Sequence, residues 1–138
     1  MTKLLLHTDG GSRGNPGPAA YGYVIQDVSS GAGIILEKCG NYLGITTNNI
    51  AEYEGLIAGI KWVVTNHPKS ELVIKMDSLL IVNQIKGVFK VKNSGLIPKY
   101  REVRGLLAQL PKYSIEHTYR EGNSLADSLV NQALDAER

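Results

Sequence analysis

The amino-acid sequence predicts an α/β protein, in which helices pack on the faces of a mixed sheet. Three strand-like apolar runs joined by short connections open the chain, a pattern typical of an antiparallel meander. From residue 47 onward, stretches with helical spacing alternate with short apolar runs. Strands that alternate with helices in this way are typical of a layered α/β domain.

The first strand is predicted from a nearly continuous apolar run, Lys3 to Asp9, which is typical of a central strand covered on both faces. We expect Asp9 to end this strand, because the glycine- and proline-rich residues 10–18 read as a turn. Two further strands are predicted over Ala20 to Gln26 and Gly33 to Gly40. Together the three runs predict the meander.

The first helix is predicted over residues 47–65. Its start is marked by Thr47 or Asn48 as the capping residue, and its end by the pair His67-Pro68. Apolar side chains recur there at helical spacing, at Ile50, Tyr53, Ile57, Ile60 and Val64. The later elements are a strand (Leu72 to Met76), a short helix (Ser78 to about Lys86), a helix (Pro98 to Leu110), a strand (Tyr113 to Thr118) and a final helix (Asn123 to Ala136).

Length and composition predict one globular domain over residues 1–138. Hydrophobic residues make up 43% and charged residues 20%, an ordinary globular balance. The sequence has no apolar run of the roughly 20 residues that a bilayer-spanning helix needs, so we expect a cytoplasmic protein without a membrane partner. The single cysteine, Cys39, excludes an intramolecular disulfide or a multi-cysteine zinc site, and we expect it half-buried in a strand.

Charge is unevenly distributed along the chain. Seven basic residues and one acidic residue lie between Lys86 and Lys112, which gives this segment a net charge of +6. Eight basic and twelve acidic residues elsewhere give the remainder −4. A basic segment on a mildly acidic body suits a phosphate-rich partner, although a solvated lysine-rich face explains it equally well.

Four acidic residues occupy positions that suggest a metal site. Asp9 and Asp77 follow apolar strands, and the crevice beyond the carboxyl ends of parallel strands is where α/β proteins bind ligands. Glu52 and Asp127 lie early in predicted helices, whose positive ends favour carboxylates. Each acid alone is explained by turn formation or by the helix dipole. If all four converge, oxygen ligands without histidine or cysteine indicate Mg²⁺ or Mn²⁺.

Four fragments of the sequence resemble type 1 ribonuclease H, in the family's order and at its spacings. They are residues 9–19 (DGGSRGNPGPA), residues 47–53 (TNNIAEY), Asp77-Ser78, and residues 120–123 (REGN) with Ala126-Asp127. The resemblance is to the short archaeal-like and plant-like form that lacks a long basic protrusion. It implies a five-stranded mixed sheet in the order 3-2-1-4-5, flanked by helices. It also implies an endonuclease that cuts the RNA strand of RNA–DNA hybrids and leaves 5′-phosphate and 3′-hydroxyl ends.

The resemblance assigns roles to individual residues. Asp9, Glu52, Asp77 and Asp127 match a quartet that binds two Mg²⁺ ions with substrate, for which Mn²⁺ is a possible substitute. Amides at Asn15, Asn48 and Asn49 match groups that touch the hybrid, and the Thr47 hydroxyl matches one near the DNA phosphate. We assign further substrate contacts within the same fragments to Gly10, Gly11, Ser12, Ser78 and Asn123. Plain helix capping is the alternative for Asn48 and Asn49.

Arg120 stands in the loop where many bacterial members of that family place a histidine. An arginine does not shuttle protons near neutrality, so we expect Arg120 to stabilise phosphate charge or to assist product release. Pairing with Glu121 or another acid in solvent is the alternative.

Three other functions stay open from the sequence: a hybrid-binding module without catalysis, an enzyme of the same superfamily acting on double-stranded RNA or in DNA strand transfer, and a structural domain. The intact acids favour an enzyme, and we expect a monomer.

Overall fold

The fold is a five-stranded sheet with helices on its faces, as described by a computed structural model covering residues 1–137. The elements, in chain order, are β1 (Lys3–Ser12), β2 (Gly17–Asp27), β3 (Ile34–Thr46), α1 (Asn48–Asn66), β4 (Glu71–Met76), α2 (Leu79–Lys86), α3 (Ile97–Leu107), β5 (Lys112–His117), a 3-10 turn (Arg120–Asn123) and α4 (Ser124–Ala136). The sheet order is β3-β2-β1-β4-β5, which confirms the predicted topology.

Strand β1 occupies the centre of the sheet. It pairs with β2 in antiparallel fashion and with β4 in parallel, and β5 continues the parallel half beside β4. Leu4 and Leu6 of β1 are completely buried, in keeping with a central strand. Because β1 and β4 run parallel and are neighbours, the residues at their carboxyl ends lie at the same edge of the sheet.

Helix α1 packs on one face of the sheet through its predicted apolar side. Its first turn is capped by Thr47, whose hydroxyl accepts a hydrogen bond from the Ile50 backbone N–H at 3.3 Å. Tyr53 is fully buried, and its hydroxyl donates to Gln84 Oε1 at 2.7 Å, which ties α1 to α2. This bond holds the beginning of α1, and the acid next to Tyr53, in a fixed position.

Helix α4 packs on β2 and β3 at close range. A Cβ atom placed on Gly22 of β2 would lie 2.6 Å from the Ala126 carbonyl oxygen, so only glycine permits this approach. Val130 and Leu134 of α4 are buried against Ala20 of β2. The first turn of α4 therefore reaches the edge of the sheet where β1 ends.

Four predicted boundaries were wrong, and one of them is the start of β2, which begins at Gly17, three residues before the expected Ala20. Strand β1 continues to Ser12, three residues beyond Asp9, because Gly10 and Gly11 pair with Tyr21 and Ala20 of β2, and backbone pairing needs no side chain. Strand β3 likewise continues to Thr46, six residues past the expected end at Gly40. Helix α3 ends at Leu107, and the chain turns before β5.

The basic segment runs from the end of α2 through α3 to the start of β5. Part of it is neutralised within the fold, since Lys99 pairs with Glu54 at 2.6 Å and Lys112 with Glu71 at 3.7 Å. Lys90 and Lys92 are exposed in the connection between α2 and α3. On β3, Cys39 is half-buried, as predicted.

None of the helices formed within residues 1–137 has the length and apolar character needed to cross a membrane.

Candidate active site

Three carboxylates converge at the edge of the sheet where β1 and β4 end. Asp9 lies on β1, Asp77 directly follows β4, and Glu52 is the fifth residue of α1. An oxygen from each of the three lies within 4.8 Å of an oxygen from each of the others. The parallel pairing of β1 and β4 produces this arrangement, since Thr8 is in register with Met76 and the following residues are therefore adjacent. We call Asp9, Glu52 and Asp77 the carboxylate cluster.

Asp127 borders the cluster and stands apart from the group of three within the described residues. It lies in the first turn of α4 and lines the same cleft. Its Oδ1 atom is 3.8 Å from Nη2 of Arg120, whose side chain is 79% exposed. The structure thus brings the four predicted acids and Arg120 to one cleft, with three of the acids in close contact.

Gly10 and Glu52 line the cleft and are joined by a hydrogen bond. The Gly10 N–H donates to Glu52 Oε1 at 2.5 Å and to Asp9 Oδ1 at 2.9 Å, so one backbone group orients two carboxylates. The other oxygen of Glu52, Oε2, is buried and has no hydrogen-bond partner among residues 1–137. A buried carboxylate oxygen without a partner is costly, and a bound cation would satisfy it.

The electrostatics of the cluster also fit a cation. Burial raises the pKa of Asp9 to about 7, and the nearby charge of Asp77 adds to this, against the hydrogen bond from the Gly10 N–H. Burial, followed by the Asp9 charge, holds the pKa of Glu52 well above its ordinary value. Burial likewise raises the pKa of Asp77, while Arg120 and His117 oppose the shift. Simultaneous ionisation of the three acids is therefore unfavourable unless a cation is bound. Because the three side chains offer only oxygen ligands, Mg²⁺ or Mn²⁺ is the cation that suits them.

Polar groups predicted to touch substrate line the rest of the cleft, which has a volume of about 430 Å³. Those present are Gly10, Gly11, Ser12, Asn48, Asn49 and Ser78. The Ser12 N–H and hydroxyl both donate to Asn48 Oδ1, at 2.7 and 3.1 Å, which fixes the end of β1 against the start of α1. The Ser78 hydroxyl caps α2 by accepting from the Ile81 N–H.

Asn15 and Thr47 line a separate depression beside the cleft, and Asn49 borders both. Asn15 Oδ1 accepts a hydrogen bond from the Asn48 N–H at 3.1 Å. The Thr47 hydroxyl serves as the cap of α1. Asn15 and Thr47, both predicted to contact substrate, therefore lie on a second surface. Asn49 connects this surface to the cleft that holds the carboxylates.

Asn123, which was also predicted to contact substrate, does not line the cleft. Its side chain is buried, with 1% exposure of the residue, and Nδ2 donates to the Thr8 carbonyl at 2.9 Å. This bond joins β1, one residue before Asp9, to the turn before α4. A buried amide holding two elements together positions the site and is not open to a substrate.

Two polar residues that line the cleft were not predicted as site residues from the sequence. Asn131 lies four residues after Asp127 on α4, and this spacing places both on one helix face, a signal that the sequence contained. Arg13 lines the far part of the cleft, and its Nη2 atom is 2.8 Å from Asp135 Oδ1 near the end of α4. Arg13 stands in the glycine-rich residues 10–18, and nothing in that part of the sequence indicates an ion-pair partner on α4.

The chain is similar to proteins of one family over nearly its whole length. A family model described as reverse transcriptase-like matches residues 7–133. The bifunctional protein Rv2228c of Mycobacterium tuberculosis is 40% identical over 134 residues, covering 97% of this chain and 36% of that protein. Ribonuclease H of Chromohalobacter salexigens is 31% identical over 146 residues, covering 98% of this chain and 86% of that protein. This chain spans only about a third of the length of the mycobacterial relative.

Solved structures give the same result. The N-terminal RNase H domain of Rv2228c superposes with a TM-score of 0.92 at 40% identity, covering 99% of this chain and 96% of that chain. RNase H1 of Halobacterium salinarum gives 0.90 at 36% identity, covering 97% and 98%. LC11-RNase H1, solved in complex with an RNA/DNA hybrid, gives 0.89 at 40% identity, again covering 97% and 98%. The chain therefore belongs to the ribonuclease H family.

Proposed function

We propose that this chain is a metal-dependent endonuclease that hydrolyses the RNA strand of RNA–DNA hybrids and leaves 5′-phosphate and 3′-hydroxyl ends. The observation that carries this proposal is the convergence of Asp9, Glu52 and Asp77 in an open cleft, where one buried Glu52 oxygen has no hydrogen-bond partner among residues 1–137. The similar LC11 protein was solved with an RNA/DNA hybrid, which supports the choice of substrate.

In this proposal the carboxylate cluster and Asp127 would hold two Mg²⁺ ions, for which Mn²⁺ could substitute. Such a pair supplies activation of the attacking water and stabilisation of the leaving oxygen in an in-line displacement. The Gly10 N–H holds the carboxylates of Asp9 and Glu52 in fixed orientations, in which they would bind the metal. Arg120 stands at the exposed side of Asp127, where a guanidinium stabilises charge on a phosphate.

Recognition of RNA falls to short polar groups on one wall of the cleft. Asn48 and Asn49 at the start of α1, with Ser12 at the end of β1, present amide and hydroxyl groups next to the carboxylates. Such groups reach a minor groove and its 2′-hydroxyls, which distinguish RNA from DNA. Double-stranded RNA presents a similar groove, so weaker cleavage of duplex RNA is a second proposed activity.

Cleavage assays test the proposal directly. Labelled RNA–DNA hybrid, duplex RNA and duplex DNA are incubated with Mg²⁺, Mn²⁺ or EDTA, and the product ends are identified. We expect hybrid cleavage only with metal, at least 100-fold loss in Asp77→Asn with the fold retained, and normal cleavage by the control Glu116→Gln at an exposed position of β5. Metal-independent cleavage, or near-normal cleavage by Asp77→Asn, would refute the metal mechanism. Binding of hybrid without cleavage would identify a binding module instead.

We also propose that the protein acts as a monomer, since a single copy of the chain already brings the carboxylates, Arg120 and the polar wall into one cleft. That it acts in the cytoplasm is a separate proposal. A single species of monomer mass in light scattering, with full hybrid-cleaving activity, is the expected result.

A further inference from the structure

Arg13 and Asp135 form an ion pair at the end of the cleft opposite Arg120. Arg13 directly follows β1, and Asp135 lies in the last turn of α4. Their side chains are 42% and 51% exposed, and the two atoms in contact, Nη2 and Oδ1, are 2.8 Å apart. Because Arg13 lines the same cleft as the carboxylate cluster, this guanidinium faces the space that a bound strand would enter.

The two basic side chains that line the cleft within residues 1–137 stand at opposite ends of α4. Arg120 pairs with Asp127 in the first turn of the helix, and Arg13 pairs with Asp135 in the last. The two acids are eight positions apart, which at the helical rise of about 1.5 Å per residue corresponds to about 12 Å. A strand that runs from the carboxylate cluster along α4 therefore reaches Arg13 a few nucleotides from the bond that is cut.

The backbone at Arg13 is fixed, while its side chain can exchange partners. The Arg13 N–H donates to the Pro18 carbonyl at 2.8 Å, and the preceding Ser12 is bonded through its N–H to Asn48. An exposed ion pair contributes little to stability, so the guanidinium loses little by leaving Asp135. Arginine binds phosphate in a bidentate manner, which makes a phosphate a competitive replacement for the carboxylate.

We propose that Arg13 binds a phosphate of the RNA strand a few nucleotides from the scissile bond, and that Asp135 competes with this phosphate for the guanidinium. The inference rests on the proposed function, because it places the cut strand in the cleft. It assigns opposite effects to the two members of one ion pair. A purely structural pair would give both members the same effect.

Steady-state cleavage of hybrid in Mg²⁺ tests this with four proteins: wild type, Arg13→Ala, Asp135→Ala and the double variant. We expect Arg13→Ala to raise KM about 3- to 10-fold with kcat unchanged, and to reduce the slope of log KM against log salt by about 1. Asp135→Ala should lower KM, and the double variant should behave as Arg13→Ala does. Arg13→Lys should keep the salt slope, because the charge remains.

A matched control shows whether a lower KM in Asp135→Ala comes from release of the Arg13 guanidinium or only from the loss of a negative charge on the protein. Glu116→Ala removes an exposed acid from β5, away from the pair. Asp135→Ala should lower KM more than Glu116→Ala does. Three outcomes would each overturn the inference. The first is that the two acid variants change KM equally, and the second is that Arg13→Ala leaves KM unchanged. The third is that Arg13→Ala and Asp135→Ala raise KM equally, with matching losses of melting temperature.

Neutral methylphosphonate linkages, introduced one at a time into the RNA strand, locate the contact. At one position a few nucleotides from the cut, the neutral linkage should raise KM for wild type and leave KM of Arg13→Ala unchanged. The same signature on the DNA strand alone would overturn the assignment to RNA. If wild type cleaves no hybrid at all, the proposed function fails; if it cleaves and Arg13→Ala equals wild type, only this inference fails.

Discussion

The backbone N–H of Gly10 donates to Glu52 Oε1 at 2.5 Å, which joins the last part of β1 to the first part of α1 at the carboxylate cluster. This contact requires the two backbones to lie very close together. A Cβ atom on residue 10 would lie 2.4 Å from the carbonyl carbon and oxygen of Ala51. The glycine thus permits the close approach that brings Glu52 to Asp9.

Replacement of Gly10 by alanine should therefore damage both stability and the site. We expect Gly10→Ala to lower the free energy of unfolding by about 1–3 kcal/mol, since the added methyl group has no room against backbone atoms. Hybrid cleavage should fall as well, because Glu52 is displaced. Thermal denaturation and a cleavage assay measure both effects.

Gly11→Ala is the matched stability control. Its added Cβ would meet its nearest neighbour, Asn48 Oδ1, at an ordinary 3.8 Å. We expect its melting temperature to stay close to that of wild type. An equal loss of stability in the two variants would show that the close approach at Gly10 is not the cause.

The pKa of Asp9 predicts how stability of the metal-free protein depends on pH. Burial raises this pKa from 3.8 to about 7, so the folded state binds a proton more tightly than the unfolded chain does. The resulting stabilisation is present below about pH 4 and is lost as pH rises toward 7. The Asp9→Asn variant cannot ionise at this position, so its stability should not fall in this way as pH rises. In EDTA at pH 8 it should exceed wild type by at least about 1 kcal/mol, as one pKa unit corresponds to about 1.4 kcal/mol.

Melting curves in EDTA between pH 4 and pH 8 measure this difference. The advantage of Asp9→Asn should grow from pH 4 to pH 7 and then level off. Mg²⁺ at pH 8 should stabilise wild type more than the variant, because the ligand binds the folded state through the missing charge. Parallel pH curves for the two proteins would contradict the assigned shift.

Arg120 should act on turnover as a fixed charge. Its guanidinium is exposed and stands at the outer side of Asp127, so it can move to a phosphate without disturbing the sheet. We expect Arg120→Ala to lower kcat about 10- to 1000-fold, the scale of a lost charge-stabilising donor. The shape of the pH–rate profile should not change, because arginine does not titrate near neutrality.

Arg101→Ala, at an exposed position of α3, is the control for loss of a surface cation and should retain kcat. Arg120→Lys should recover part of the loss if charge is the essential property. Unchanged turnover of Arg120→Ala at saturating hybrid would establish that Arg120 only pairs with Asp127 in solvent.

The exposed lysines between α2 and α3 should contribute to binding through salt-dependent phosphate contacts. Charge reversal of Lys90 and Lys92 to Glu should raise KM for hybrid and flatten its salt dependence by about 1 to 2 units of slope, with kcat retained. Reversal of two exposed lysines elsewhere, Lys38 and Lys69, is the matched control. A fall in kcat with KM unchanged would mean that this segment does not meet the substrate backbone.

Local sequence pattern determined the element types of this protein. Apolar periodicity identified five strands and the main helices, because each element must present an apolar face to the core. The family resemblance added the strand order, which the structure confirms. From that order the meeting of Asp9 and Asp77 follows, since adjacent parallel strands end at the same edge.

Tertiary structure decided what each polar residue contacts. Gly10 and Gly11 belong to a strand because β2 supplies their backbone partners, although their composition predicts a turn. Asn123 is buried because the Thr8 carbonyl, 115 positions away in sequence, accepts its amide proton. Arg13 faces Asp135 because α4 packs across β2 and β3. Periodicity depends on neighbours along the chain, whereas burial and hydrogen-bond partners depend on segments that only the packed fold brings together.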